Sequence, residues 1–376
     1  MCSSDLLSGL AAVERQLGLV AEERGDYAAA LEAYRRVLRV REQAGDTHGV
    51  AESLNDIGYA HYQLGDYDSA QVFWRQAGEG FARLDDPRGA IRARQNLGLL
   101  YIARGRWNDA RTLLEDSLTE AQRRQLAEET AVSLRNLAEL EVVQGRLGAA
   151  LDRIGRAEAL FRELEDHRGR VDVALLRARA LAAIGAVDRA EAALAEVESD
   201  IVEASREQQT IAALVRTELA RRRTDHGALR RGLTEARRLA DASGVASLRL
   251  AVDVLAESQP ERALEAIRAL GDIPLLLSWY DLALQRTIAA GDFTTAASHY
   301  RSAADQLAAH GDYAGAFTLH RLGAKALAAL GDTGAAETAR SAAATALERL
   351  TDDLPDSLRG LLDNDPAVVA FREASA

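Results

Sequence analysis

Apolar and small residues recur along this chain at spacings of three and four, which place them on one face of an α-helix. Leu54, Ile57 and Gly58 share such a face. Gly65 follows where the pattern stops, and glycine readily takes the left-handed conformation that ends a helix. Asp66 comes next, and its carboxylate is suited to cap the helix that begins there. The pattern therefore predicts a helix that ends in a tight turn.

A second apolar stripe follows this turn and predicts an antiparallel partner for the first helix. Ala70, Trp74 and Ala77 lie on one helical face at spacings of four and three. The small residues Gly58 and Ala70 allow the two helices to approach closely, and Trp74 is predicted to fill the space beyond them. One unit of the chain is therefore a pair of packed helices.

This two-helix pattern recurs with a period of forty residues. Glycine marks the predicted turn in each of the first five units, and an alanine follows five residues later. The glycines are Gly25, Gly65, Gly105, Gly145 and Gly185, and the alanines are Ala30, Ala70, Ala110, Ala150 and Ala190. Such a period is typical of stacked helical units, each of which buries its apolar face against its neighbours. The 376 residues therefore need no single large core.

Beyond Gly185 the period becomes less regular. Turns are predicted at residues 224–226 and 258–260, at Gly291 and at Gly331, which brings the total to nine helix pairs. Residues 1–6 are interpreted as non-native N-terminal residues, with a native N-terminal cap as the alternative. The remaining predicted segments are regular repeats over 7–209, degenerate and shorter repeats over 210–290, final repeats over 291–349 and a C-terminal capping segment over 350–376.

Charge and composition disfavour several classes of function. The net charge is −12 and the pI is near 5.2, whereas a non-specific nucleic-acid binder needs a basic surface. No run of about 18 consecutive apolar residues predicts a membrane span. Cys2 is the only cysteine, so we expect no disulfide and a cytoplasmic protein. Lys325 is the only lysine among 46 basic residues, a bias that indicates a GC-rich bacterial genome.

Three tripeptides resemble a motif of a known family. They are Gly25-Asp26-Tyr27, Gly65-Asp66-Tyr67 and Gly311-Asp312-Tyr313. With the alanine and large apolar residues that follow, they resemble the tetratricopeptide repeat family. The forty-residue length exceeds the common length of about 34 and is similar to the long-helix subclass of kinesin light chains and bacterial signalling proteins. The resemblance implies an all-α, right-handed superhelical solenoid of antiparallel helix pairs that binds a polypeptide in its concave groove.

The resemblance also places the candidate binding residues on the first helix of each pair, which lines the groove. Polar side chains recur there at forty-residue spacing, and an amide offers a peptide backbone both a donor and an acceptor. The arginines are suited to pair with acidic side chains of a partner. The predicted peptide-binding residues are Gln16, Asn55, Asp56, Tyr59, Arg92, Gln95, Asn96, Arg135, Asn136, Glu139 and Arg179. An ordinary solvated helix face is the alternative interpretation of each residue taken singly.

No arrangement of residues points to a reaction, so we predict that the chain is not an enzyme. It contains no phosphate-binding loop and no Gly-x-Ser-x-Gly nucleophile motif. Its seven histidines lack the paired spacing of a helical zinc site, and its Gly-Asp pairs lack the alternating acidic ligands of a calcium loop. We therefore predict neither a metal nor a cofactor.

The predicted function is that of a protein–protein interaction scaffold or regulatory module. We expect it to form part of a larger bacterial signalling or transcription-regulatory protein, and to bind a protein or peptide but no nucleic acid and no membrane. The alternative is a stand-alone sensor that binds a small peptide or metabolite and changes the shape of its superhelix. The sequence predicts neither the identity of the partner nor the oligomeric state.

Overall fold

The computed structural model describes residues 2–374, and these form twenty-one α-helices and no β-strand. The prediction of an all-α solenoid is confirmed. Met1, the first of the six residues interpreted as non-native, lies outside the described residues. No helix in the described part of the chain combines the length and the apolar character that a bilayer crossing requires.

The helices form nine antiparallel pairs, followed by two short helices. The first four pairs are α1 (Cys2–Glu23) with α2 (Tyr27–Ala44), α3 (Thr47–Gln63) with α4 (Tyr67–Arg83), α5 (Pro87–Ala103) with α6 (Trp107–Arg123), and α7 (Ala127–Val143) with α8 (Leu147–Glu163). In the fifth pair, α9 (His167–Ala183) packs on α10 (Val187–Ala195), which is followed by the short α11 (Glu198–Glu203).

The later pairs vary more in length. They are α12 (Arg206–Arg222) with α13 (His226–Ser243), α14 (Ala246–Leu255) with α15 (Pro260–Leu270), α16 (Ile273–Ala289) with α17 (Phe293–His310), and α18 (Ala316–Ala329) with α19 (Thr333–Asp353). The short helices α20 (Asp356–Asp363) and α21 (Pro366–Glu373) end the described chain. From α3 onward the first helix of each pair contacts the first helix of the next, so these helices form the inner wall of the solenoid.

The predicted turn chemistry is present in the second pair. Gly65 has a φ of +83°, and the Asp66 side chain accepts a hydrogen bond of 3.1 Å from the backbone N–H of Ser69. A Cβ added to Gly58 would lie 2.6 Å from the Trp74 ring, so only glycine allows this approach. The predicted close contact between the helices of one pair is therefore confirmed.

The third family-like tripeptide lies in a different place from the other two. Gly311 ends α17, and the chain continues into α18, so Gly311-Asp312-Tyr313 joins two pairs instead of the two helices of one pair. The Asp312 carboxylate forms an ion pair with Arg349 of α19. The Gly-Asp-Tyr tripeptide therefore recurs here at a different position in the repeat from the other two.

The superhelix completes one turn in about five pairs, and its second turn packs against its first. Hydrogen bonds join the turns of the early pairs to residues about 170–205 positions later in the chain, and we call these contacts the inter-turn seam. They are Tyr67 Oη to Asp272 Oδ2 at 3.2 Å, His310 Nδ1 to Gly105 O at 3.1 Å, Ala314 N to Val143 O at 2.8 Å and Gly148 N to Asp353 Oδ2 at 2.6 Å. The concave side is consequently enclosed by the stacked turns, and we call this space the lumen.

Candidate functional site

The first helices of the early pairs enclose a pocket of about 280 Å³ on the inner wall of the solenoid. Helices α1, α3, α5 and α7 supply most of its lining, and Tyr34 of α2 adds one side chain. The lining residues are Leu19, Glu22, Tyr34, Asn55, Asp56, Tyr59, Arg92, Gln95, Asn96, Glu128, Glu129 and Val132. Six of the eleven predicted binding residues are among them, so the pocket is the candidate site.

Two asparagines in the pocket form an amide pair. Asn96 Nδ2 donates a hydrogen bond of 3.0 Å to Asn55 Oδ1, which joins α5 to α3. Neither the Oδ1 atom of Asn96 nor the NH₂ group of Asn55 makes a hydrogen bond within residues 2–374. The pair therefore presents a free acceptor oxygen and a free NH₂ group, the complement of a peptide unit.

Asp56 is neutralised within the pocket wall. Its Oδ2 accepts a hydrogen bond of 2.9 Å from Arg15 Nε, which links α1 to α3. Burial raises the pKa of Asp56, and the charge of Arg15 opposes that rise. Asp56 and Arg15 thus brace the first two pairs against each other.

Glu22 at the end of α1 lacks such a partner. Burial is the main cause that raises its pKa to about 7, and the charge of Asp56 adds to the effect. The Tyr34 hydroxyl is buried beside it and interacts with it electrostatically, although the two do not meet the geometry of a hydrogen bond. The Glu22 carboxyl group therefore holds its proton to a higher pH than an exposed glutamate does.

Glu129 near the start of α7 is the most buried acid of the pocket. Its exposed fraction is 4%, and its Oε2 atom has no hydrogen-bond partner among the described residues. Its Oε1 atom lies 3.9 Å from Arg88 Nε, a distance too long for a hydrogen bond. The carboxylate therefore keeps an unused acceptor inside the wall.

The structure separates the predicted residues into groups with different surroundings. Gln16 and Arg92 are exposed, whereas Gln95 and Asn136 are buried to 3% and 1% exposure. Gln95 donates hydrogen bonds of 2.9 Å to Glu129 O and to Ser133 Oγ. The expectation that Asn136 presents its side chain to an open groove is wrong, because the packing of neighbouring first helices encloses it. Gln95 does reach the pocket lining, but its amide NH₂ is already engaged by Glu129 and Ser133.

Two of the three predicted arginines are already paired. Arg135 Nη1 lies 3.1 Å from Asp172 Oδ2, and Arg179 Nη1 lies 2.8 Å from Glu139 Oε1, so the predicted Glu139 is also engaged. Arg92 alone makes neither an ion pair nor a hydrogen bond within the described range. The prediction of an acidic partner rested on three free arginines, and two of them are neutralised inside the lumen.

Tyr59 connects the pocket to the far side of the lumen. Its hydroxyl donates to Glu207 Oε2 at 3.4 Å, and Gln63 Nε2 donates to the same oxygen at 3.1 Å. Burial raises the pKa of Glu207, and the nearby charge of Asp172 raises it further. This contact spans 148 residues of sequence, so the helical pattern alone could not have revealed it.

Two acids of the pocket did leave a signal in the sequence that the prediction missed. Glu22 stands at a repeat position where the next three units have apolar or aromatic residues. Glu129 stands where the second, third and fifth units have glycine. The equivalent residues are Tyr62, Ile102 and Val142 for Glu22, and Gly49, Gly89 and Gly169 for Glu129. A charged residue that breaks a strict period inside a packed array is a sign of a special role.

Comparison with known proteins identifies the repeat. Residues 9–81 and residues 91–123 each match a sequence profile described as a tetratricopeptide repeat. No curated protein matches the chain in sequence. No group of three or more histidine, cysteine or acidic residues in the part of the chain described here is arranged to hold a metal ion.

Comparison with solved structures finds similar chains at low sequence identity. A Rap protein complexed with Competence and Sporulation Factor is 17% identical, with a TM-score of 0.53 over 77% of this chain and 74% of that chain. The Rap conjugation gene regulator of plasmid pLS20, in complex with the Phr* peptide, is 14% identical, with a TM-score of 0.42 over 91% and 75%. Yeast Tom70 is 12% identical, with a TM-score of 0.36 over 98% and 96%. At 17% identity, the similarity between this chain and the first Rap structure concerns the fold alone.

Proposed function

The chain belongs to the tetratricopeptide repeat family, and from that premise we propose that it is a protein-interaction scaffold. Its partner is a polypeptide segment that enters the lumen and binds in the pocket between α1, α3, α5 and α7. The observation that carries the proposal is the amide pair of Asn55 and Asn96, which offers an unused donor and an unused acceptor beside about 280 Å³ of empty space.

The chemistry of the site favours recognition of a peptide backbone over a reaction. An amide pair bonds a peptide unit whatever its side chain, so specificity has to come from the surrounding walls. The side chains of Tyr59 and Val132 add apolar surface, while Arg92 and Glu128 lie at exposed positions. The proposed binding residues are thus Asn55, Asn96, Tyr59 and Arg92, with Asp56 in a supporting role.

The proposal includes a biological setting. We propose that the scaffold serves a bacterial signalling or transcription-regulatory protein in the cytoplasm. The bias toward arginine supports a bacterial source. One structure that shares this fold was solved as a complex of a Rap protein with Competence and Sporulation Factor.

Selection from a library of short random peptides tests the binding proposal. Peptides enriched on the wild-type protein should bind the double variant Asn55→Ala/Asn96→Ala about tenfold more weakly, because two hydrogen bonds to the backbone are lost. Asn108→Ala is the matched control, since Asn108 is an exposed asparagine of α6 outside the pocket. Enriched peptides that bind the folded double variant as tightly as the wild type would refute binding at the amide pair.

A second candidate function is a sensor of a small peptide or metabolite. The observation that favours it is the size of the pocket, which is near the lower end of the range for small-molecule sites. A sensor changes shape when its ligand binds, so small-angle scattering should show compaction. An unchanged radius of gyration at saturating ligand favours the scaffold.

A further inference from the structure

The walls of the pocket carry more acidic than basic groups. Four acids line it, namely Glu22, Asp56, Glu128 and Glu129, and Arg92 is its one lining cation. Arg15 neutralises Asp56 from outside the lining. Arg88 Nε lies 3.9 Å from Glu129 Oε1 and offsets part of its charge. Glu22 and Glu128 form no ion pair within the described residues, so these two acids carry the unpaired acidic character of the pocket.

Glu129 supplies an independent sign of a ligand. A carboxylate oxygen that is buried without a hydrogen bond costs free energy, and native proteins keep such groups rarely. Three other units have glycine at the repeat position of Glu129, namely Gly49, Gly89 and Gly169. The glutamate is therefore an exception at this position of the repeat, and its Oε2 atom has no donor among the described residues.

Glu22 adds a second acceptor on another wall of the same pocket. It occupies a position where the next repeat unit has Tyr62 and the two after it have aliphatic residues. It lines the pocket without an ion pair among the described residues, so no positive charge is paired with it. A cation brought by a ligand would supply that charge.

We propose that the pocket binds a cationic side chain, an arginine or a lysine, of the peptide that the scaffold recognises. The guanidinium or ammonium group donates hydrogen bonds to Glu129 Oε2 and to the Glu22 carboxylate, and the amide pair of Asn55 and Asn96 holds the adjacent backbone. This inference rests on the proposed function, since it names the chemistry of the peptide bound at the same site.

An acidic side chain fits this pocket less well. The lining cation Arg92 is exposed, whereas the acceptor Glu129 is almost completely buried. An anion placed deep in the pocket would meet Glu22 and Glu129 and be repelled by both. Farther along the lumen, Arg135 and Arg179 are already paired and offer no charge to an acidic partner.

The test uses the tightest-binding peptide from the random library, resynthesised in three forms. The first carries arginine at its basic position, the second carries citrulline, which has nearly the same shape without the charge, and the third carries glutamate. Titration calorimetry should show that the citrulline form binds about tenfold more weakly than the arginine form, and the glutamate form more weakly still.

Protein variants locate the effect. Glu129→Gln should reduce the preference for the arginine form over the citrulline form, whereas Glu79→Gln, at an exposed position of α4 outside the pocket, should keep that preference in full. Glu22→Gln provides the same readout if Glu129→Gln does not fold. Equal binding of all three peptides to the wild type overturns the cationic inference and leaves the proposed function standing. A library that yields no binding peptide overturns both.

Discussion

Gly105 contributes both to a local helix-ending turn and to the inter-turn seam. It ends α5 with a φ of +70°, which a side chain would oppose, and its carbonyl accepts the seam hydrogen bond from His310. A Cβ on Gly105 would lie 2.5 Å from His310 Nδ1. The residue that makes the local turn also allows the second superhelical turn to rest on the first.

Substitution of Gly105 tests this double role. Gly105→Ala should lower the free energy of unfolding by about 1 kcal/mol more than Gly291→Ala, because only the former also disrupts a hydrogen bond. Gly291 is the matched control, since it has a φ of +75° but nothing within 4 Å of an added Cβ. Urea unfolding followed by circular dichroism gives both values. Equal losses would show that the His310 contact contributes nothing to stability.

At the scale of the element, α8 receives its N-terminal cap from a distant helix. Its N-cap residue Arg146 makes no capping hydrogen bond, and the carboxylate of Asp353, at the end of α19, accepts from Gly148 N at 2.6 Å and from Ala149 N at 3.4 Å. The free N–H groups of a helix N-terminus favour such an anion. Asp353 therefore stabilises a helix two hundred residues away.

Removal of this cap has a predictable cost. Asp353→Ala should lower the free energy of unfolding by about 1 kcal/mol, the usual contribution of an N-cap. Asp352→Ala is the control, because Asp352 is exposed and its side chain makes no hydrogen bond or ion pair in the part of the chain described. Hydrogen exchange should also show faster exchange at the N-terminus of α8 in the Asp353 variant alone. Similar results for the two variants would contradict the capping role.

The elements themselves were largely predictable, because their causes are local. The forty-residue period predicted the first five pairs, individual turn signals predicted the other four, and the turn at Gly65 and Asp66 formed as expected. The site was predictable only in part, since Asn55 and Asn96 line the pocket while Asn136 is buried. Whether a polar residue faces the lumen depends on the pitch of the superhelix, which sums small rotations over many repeats. The residue pattern of a single unit therefore does not predict which polar side chains face the lumen.

At the scale of the whole molecule, the seam makes stability depend on pH. Burial between the two superhelical turns raises the pKa of Asp272 to about 6, although Leu275 N and the Tyr67 hydroxyl donate hydrogen bonds to it. A carboxyl group with a raised pKa in the folded state favours the folded protein when protonated. Its contribution is complete below the unfolded pKa of about 4 and is lost as the pH rises through about 6.

The Asp272 carboxyl should therefore contribute more to stability at about pH 5 than at about pH 8. Glu22, with its pKa raised to about 7, acts in the same direction, and it faces Arg15, Tyr34, Asp56 and Glu207. Asp272→Asn should reduce the slope of the melting temperature against pH, because asparagine still caps α16 but does not titrate. The exposed Asp352→Asn is the control. A slope unchanged by Asp272→Asn would place the titrating group elsewhere.

The inter-turn seam also changes the kind of object that this repeat protein is. An ordinary solenoid is a one-dimensional array, in which each unit is coupled to its two neighbours and ends can fray independently. Here each early unit also touches the unit about five places further along, so the units form a two-dimensional lattice wound into a cylinder. Loss of one unit then weakens partners on the adjacent coil as well as along the chain. Unfolding should consequently be cooperative across the cylinder, and the lumen should open as a whole and not repeat by repeat.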